Sequence, residues 1–260
     1  MHIARFFDLK NSRFYILSTA VLLSIFIACV CRVATPTDIL YYIRVQQIFG
    51  GLSALYLYVA LIISPLSYVY GKDVLRQLIH ARRAIGVSAA YFALLHSSVA
   101  IFGQIGGINQ LQYLPSLFIW SFVLGGFALV ILVIMAATSF DVVIKIMTPK
   151  RWKLLHRLVY LSGLAIIAHV WSIATHMAYY GIQLVSFALI ALLLGLEAIR
   201  ITDRLAVRIK SLNSTDYYLT IFLTLWVSSL VLLASMPAFV DNYHSRHTGD
   251  ENTLHTGADQ

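Results

Sequence analysis

Seven runs of apolar residues, separated by short polar and basic stretches, organise this chain: 14–31, 48–70, 84–104, 114–137, 158–175, 177–198 and 217–240. Each is long enough to cross a bilayer as a helix, since about 20 residues rising about 1.5 Å each span a hydrocarbon core of roughly 30 Å. Membrane β-strands would alternate apolar and polar positions over roughly ten residues, whereas these runs are continuous. The pattern predicts an all-α polytopic transmembrane helix bundle with six core spans plus a seventh. The fifth and sixth runs almost touch, which predicts a tight hairpin around 176–181. The first run has the basic flank of a signal peptide, but its apolar stretch is long for a cleaved segment and is read as a retained span. The chain then divides into an N-terminal flank with the first span (1–47), a core of spans (48–200), a loop with an additional span (201–240) and a polar extracytoplasmic tail (241–260).

The polar breaks set the orientation. Of 19 Lys and Arg residues, 16 fall in one set of flanks, and Arg32, Arg44 and Arg246 make up the opposite set. Basic loops stay in the cytoplasm, so the N-terminus is expected inside and the C-terminus outside. Composition agrees: 60% of the 260 residues are hydrophobic, 12% are charged, and mean hydropathy is +0.81. A water-soluble globule, a disordered chain, a coiled coil and a nucleic-acid-binding domain are all excluded by those figures. The net charge of +8 is then a record of cytoplasmic loops in contact with membrane lipid, not of a nucleic-acid partner. Cys29 and Cys31 lie two positions apart, on nearly opposite helix faces, and cannot be bridged without moving the backbone. No internal repeat is legible, and no nucleotide-binding or catalytic domain is visible.

Candidate chemistry rests on the histidines. An ionisable side chain within a span is costly and faces the bundle interior, and His96 and His169 are so placed. His96 lies thirteen residues beyond Arg83, and His169 thirteen beyond His156. On helices that both start from the cytoplasm, each is ~20 Å from its basic edge. Two imidazoles at one level on parallel helices can supply the axial ligands of a six-coordinate b-type haem; either one alone could equally be an interhelical hydrogen-bond donor. His156 stands at the cytoplasmic mouth about 140° around the helix from His169, and could serve a carrier or be a polar interfacial residue. His176, two turns beyond His169, is a candidate outer contact, alternative ligand or rim residue. Arg82, Arg83, Arg151 and Arg157 are the candidate donor site, with the orienting of helices as their plainer role. The tail histidines could collect metal ions.

Two stretches carry a family resemblance. Arg82-Arg83-Ala84-Ile85-Gly86 with Tyr91-Phe92-Ala93-Leu94-Leu95-His96 resembles the third span of the ferric-reductase-like transmembrane domain family. Thr138-Ser139-Phe140-Asp141, then Lys150-Arg151-Trp152-Lys153-Leu154-Leu155-His156-Arg157-Leu158-Val159-Tyr160 with His169 beyond, is similar to the MsrQ-type haem-binding membrane subunits of periplasmic methionine sulfoxide reductase systems. The resemblance covers roughly 52–200. It implies a b-type cytochrome without its own dehydrogenase, holding one haem b or two, with His96, His156 and His169 at the matching ligand positions and the haem iron between His96 and His169. It further implies a flavin reductase or a quinone as donor, a periplasmic molybdopterin-type reductase subunit as acceptor, FMN as a reported family cofactor, and a bacterial inner-membrane location. Two-haem relatives such as the NADPH oxidases place a histidine fourteen residues before the one matching His96; here that residue is Arg82. The expected function is therefore electron transfer across the membrane as a component of an oxidoreductase system. Two other readings stand beside it: a stand-alone ferric or cupric reductase, and a haem-free transporter using a histidine proton relay.

Overall fold

The computed structural model describes residues 12–71, 73–173 and 179–209; His176, the seventh predicted span and the histidine-bearing tail lie outside the described residues. The described chain is helical, in the order α1 (Ser12–Ala34), α2 (Asp38–Tyr70), α3 (Arg76–Ser98), α4 (Ser116–Ala137), α5 (Asp141–Met147), α6 (Pro149–Leu155), α7 (Leu158–Ile173) and α8 (Tyr180–Ile209). Among the described residues, six helical stretches are long and apolar enough to cross a membrane, namely Arg13–Ala34, Asp38–Tyr70, Arg76–Ile105, Ser116–Ala137, Pro149–Ile173 and Tyr180–Thr202. The all-α polytopic architecture and its first six spans are as the hydrophobic pattern predicts. Two compact units are present, one ending at His169 and the other beginning at Val170.

The helix bounds depart from the apolar runs where polar residues continue a helix. α2 starts at Asp38, ten residues before its apolar run, with Thr37 as the N-cap accepting from the Leu40 amide at 3.4 Å. A short polar side chain there satisfies an amide that the helix leaves unpaired. Gln46 and Gln47 belong to this polar first part of α2, a placement that hydropathy alone misses. After Ser98 the helix of the third span widens into a π-helical segment, Val99–Ile105, which ends at Gly106 with φ +88°. A left-handed residue of this kind is tolerated by glycine, which has no Cβ to clash.

In the first unit, α2 and α3 form the tightest pair. Phe92 of α3 is fully buried and packs with Ala20, Cys31, Val45 and Phe49, its ring 5.9 Å from that of Phe49 and 5.4 Å from that of Tyr56. Ser53 of α2 is buried and donates to the Ala89 carbonyl of α3 at 3.0 Å. A small polar residue at a helix contact lets backbones approach and hydrogen-bonds across it. Between α4 and α7 the same device recurs, Ser162 donating to the Ala128 carbonyl at 3.3 Å. Apolar side chains such as Leu22, Phe102 and Trp120 face outward, as expected of surfaces solvated by lipid. Cys31 is buried and Cys29 exposed, both free, in keeping with their opposite faces.

Phe92 lies one turn before His96 on the same face of α3, so its packing sets the direction of that histidine. Phe92→Ala should destabilise the protein by about 1–3 kcal/mol, less than in a soluble core because the loss is of packing and not of transfer from water. Denaturant unfolding followed by tryptophan fluorescence checks this, with exposed Leu22→Ala expected to change little.

Candidate functional site

The sequence level-matching of His96 and His169 has a direct counterpart in space: the two rings lie 6.2 Å apart, centroid to centroid, and are almost perpendicular at 84°. Both are partly buried. Each is held from behind by the helix that precedes its own span. His96 Nδ1 is 2.8 Å from the Gln46 carbonyl oxygen of α2, and His169 Nδ1 is 2.8 Å from the Ser121 carbonyl oxygen of α4. A carbonyl can only accept, so Nδ1 carries the hydrogen in both rings and Nε2 keeps its lone pair. His169 has a further neighbour, the buried Ser121 hydroxyl, 2.9 Å from Nδ1 and donating to the His169 carbonyl at 3.2 Å.

This arrangement suits a metal held by two imidazoles. Histidine nitrogens bind metals at about 2.0–2.1 Å, which places the centroids of two rings sharing one metal roughly 6–6.5 Å apart. The second-shell bond from the non-ligating nitrogen to a carbonyl is the usual partner of a metal-bound histidine. Among the described residues no three His, Cys, Asp or Glu side chains gather as a metal site. Two imidazoles thus fit a metal that brings its own remaining ligands, as a porphyrin iron does.

The other predicted site residues lie in a different neighbourhood, on the basic side. His156 stacks on Trp152, centroids 4.0 Å apart, and its Nε2 is 3.4 Å from the Thr138 hydroxyl. Trp152 is itself anchored, its indole N–H donating to the Thr138 carbonyl at 3.0 Å. Arg82 turns to α2, donating from Nε to the Ala60 carbonyl at 2.9 Å and from Nη1 to the Ser64 hydroxyl. Arg83 contacts Asp141 and lies over the Trp152 ring, 6.0 Å from its centroid. Arg151 and Arg157 instead line a shallow apolar cleft of about 470 Å³ with Leu154, Leu155, Leu158 and Leu161. Arg82 and Arg83 thus have separate partners, while Arg151 and Arg157 share the cleft. Trp152 and Thr138 enter the sequence reading only within the motif stretches, and Gln46 and Ser121 not at all, because hydropathy sees a polar residue in a helix but not which carbonyl it exposes.

Asp141 joins three elements by pairing with Arg83 of α3 and, at 3.0 Å, with Arg13 of α1. The hydrogen bond from Arg83, then that from Arg13, holds its carboxyl below the ordinary aspartate range near 3.9.

Comparison with known proteins agrees with the motifs. Residues 48–168 match the ferric reductase like transmembrane component family. The chain is 35% identical over 140 residues to the protein-methionine-sulfoxide reductase heme-binding subunit MsrQ of Polaromonas naphthalenivorans (strain CJ2), covering 53% of this chain and 61% of that protein. It is 35% identical over 132 residues to MsrQ of Klebsiella pneumoniae (strain 342), covering 50% of this chain and 64% of that protein. To MsrQ of Ralstonia nicotianae it is 29% identical over 138 residues, covering 53% and 62% respectively. The match therefore spans less than two thirds of these relatives' own length. No solved structure matches the chain. The His96 and His156 positions lie inside the family match, and His169 is the residue immediately after it.

The Asp141 pairing gives a pH expectation. Because its carboxylate is favoured in the folded state, the stability it contributes is present above the ordinary aspartate value and is lost as pH falls through the lowered one. Asp141→Asn should flatten this acid limb, read as thermal stability against pH in detergent.

Proposed function

We propose that this protein is a b-type haem membrane subunit that carries electrons from a cytoplasmic or membrane donor to an extracytoplasmic acceptor. The observation that carries the reading is the His96–His169 pair, two imidazoles 6.2 Å apart with both Nδ1 atoms committed to carbonyls. His96 and His169 would hold one haem through Nε2. The bound haem would supply one-electron chemistry between ferrous and ferric iron. The chain's own part is to fix both rings, keep their tautomers, and surround them with apolar side chains that exclude water; ligand identity, hydrogen bonding and burial are the levers on a haem potential. In this reading the chain sits in a bacterial inner membrane with its N-terminus cytoplasmic, as the loop charges favour.

The donor would approach from the basic side. Arg151 and Arg157 beside an apolar cleft suit an amphipathic or anionic molecule such as a quinol or a reduced flavin, and FMN would be drawn by the same charges. Trp152 and His156, stacked on one another, belong to the same segment as that cleft; His156 would be a way-station rather than a ligand of the same iron. The acceptor we favour is a periplasmic methionine sulfoxide reductase of the molybdopterin type, on the strength of the likeness to MsrQ subunits.

The purified protein should show a low-spin haem spectrum. Perpendicular axial imidazoles should also give its ferric form a strongly axial electron paramagnetic resonance signal. His96→Ala and His169→Ala should each abolish the low-spin species, and His156→Ala should leave it in place. A low-spin spectrum that persists in either of the first two variants would remove that residue from the ligand set.

A further inference from the structure

The two helix pairs that carry the imidazoles repeat each other position by position. In the first, His96 of α3 rests on α2, its Nδ1 bonded to the Gln46 carbonyl, and Gly50 stands four residues on. In the second, His169 of α7 rests on α4, its Nδ1 bonded to the Ser121 carbonyl, and Gly125 stands four residues on. Seven residues before each histidine, and three after each glycine, the pairs are joined again: Ser53 to Ala89 in the first, Ser162 to Ala128 in the second. Both glycines open a doublet, Gly50-Gly51 and Gly125-Gly126. The repeat is one of geometry, with little sequence identity to disclose it.

The glycines have a specific task. A helical side chain covers the turn that precedes it, so a Cβ at 50 would lie over the Gln46 carbonyl, and one at 125 over that of Ser121. A Cβ placed on Gly50 would be 2.8 Å from His96 Nδ1, and one on Gly125 would be 2.9 Å from His169 Nδ1. Neither ring can yield freely, since each is fixed by the bond to the carbonyl that the glycine uncovers. At Gly51 and Gly126 an added Cβ would meet nothing within 4 Å. Only the first member of each doublet touches a ring.

We propose that Gly50 and Gly125 are the positioning residues of the two axial imidazoles, each opening a main-chain carbonyl so that the ring can lie against the helix, donate Nδ1–H and present Nε2. The inference rests on the haem reading above and deepens it: the site consists of two equivalent half-sites, each a histidine, a carbonyl and a glycine four residues after that carbonyl.

Gly50→Ala, Gly125→Ala, Gly51→Ala and Gly126→Ala are compared in membranes of haem-supplied cells, with haem measured per polypeptide and the ferric electron paramagnetic resonance signal recorded. The first two should lower haem affinity by about 10–100-fold, the usual effect of disturbing the outer shell of a ligand. Residual haem in them should show a shifted axial signal, while the second two keep the wild-type signal. Accumulation of polypeptide supplies a readout that needs no haem. Gly50→Ala should reduce it in the wild type but not in a His96→Ala background, where the obstructing ring is gone, and Gly125→Ala should behave likewise with His169→Ala. Wild-type haem content and signal in Gly50→Ala and Gly125→Ala would overturn the positioning role alone. Equal losses in both backgrounds would also overturn it, by assigning the glycines to helix packing. A wild type without any low-spin haem would overturn the haem reading itself.

Discussion

An imidazole among apolar helices has two nitrogens to satisfy, and in this protein one nitrogen of each central histidine is satisfied by the main chain. The bonds from His96 to the Gln46 carbonyl and from His169 to the Ser121 carbonyl do three things together. They offset the cost of placing a polar ring in a span, they fix the tautomer, and they fix the ring plane. A backbone acceptor is a firmer anchor than a side chain, because it has no rotamers to lose. The two rings stand nearly perpendicular, at 84°, each set against a carbonyl of its own partner helix.

The rest of the first unit serves to hold those carbonyls at the right height. Phe92 and its aromatic neighbours clamp α3 to α2 one turn away from His96. Ser53 closes the same interface two turns away, and Ser162 closes its counterpart between α4 and α7. These contacts are small, but in a lipid environment close packing and interhelical hydrogen bonds are the principal terms available, since apolar burial between helices displaces only other apolar chains. A displacement of α3 along α2 by one helical turn, about 5.4 Å, would carry Nδ1 out of reach of its acceptor.

The fold was readable because bilayer thickness leaves few options for long apolar runs, and because loop charge orders them. The histidine pair was readable for a related reason: depth along a helix is arithmetic, so His96 and His169 could be levelled without knowing how the helices pack. Their supports were not. Gln46 fell outside the apolar run of the second span, although it is an integral part of α2, and a backbone carbonyl leaves no mark in composition. Gly50 and Gly125 look from the sequence like two of many glycines in membrane helices. The basic residues of the loop flanks are legible as a group, yet their division into Arg82 against α2, Arg83 against Asp141, and Arg151 with Arg157 along a cleft depends on side-chain direction.

The structural repeat also bears on why the basic side differs from the level of the histidine pair. The offset of 73 residues that takes His96 to His169, and Ala89 to Ser162, takes Arg83 to His156. At the level of His156 the repeat therefore pairs a guanidinium with an imidazole where the level of His96 and His169 has two imidazoles. Arg83 cannot give up its charge under ordinary conditions and is engaged with Asp141 and the Trp152 ring, so it offers no lone pair to a metal. His156 is left with an aromatic partner and a hydroxyl in place of a second histidine. One repeated geometry thus carries two levels of different chemistry: a matched pair of imidazoles at one, and at the other a cation, a stacked indole and imidazole, and the two arginines of the cleft. Three arginines and Asp141 gather at the level of His156, whereas the His96–His169 pair is held by main-chain carbonyls.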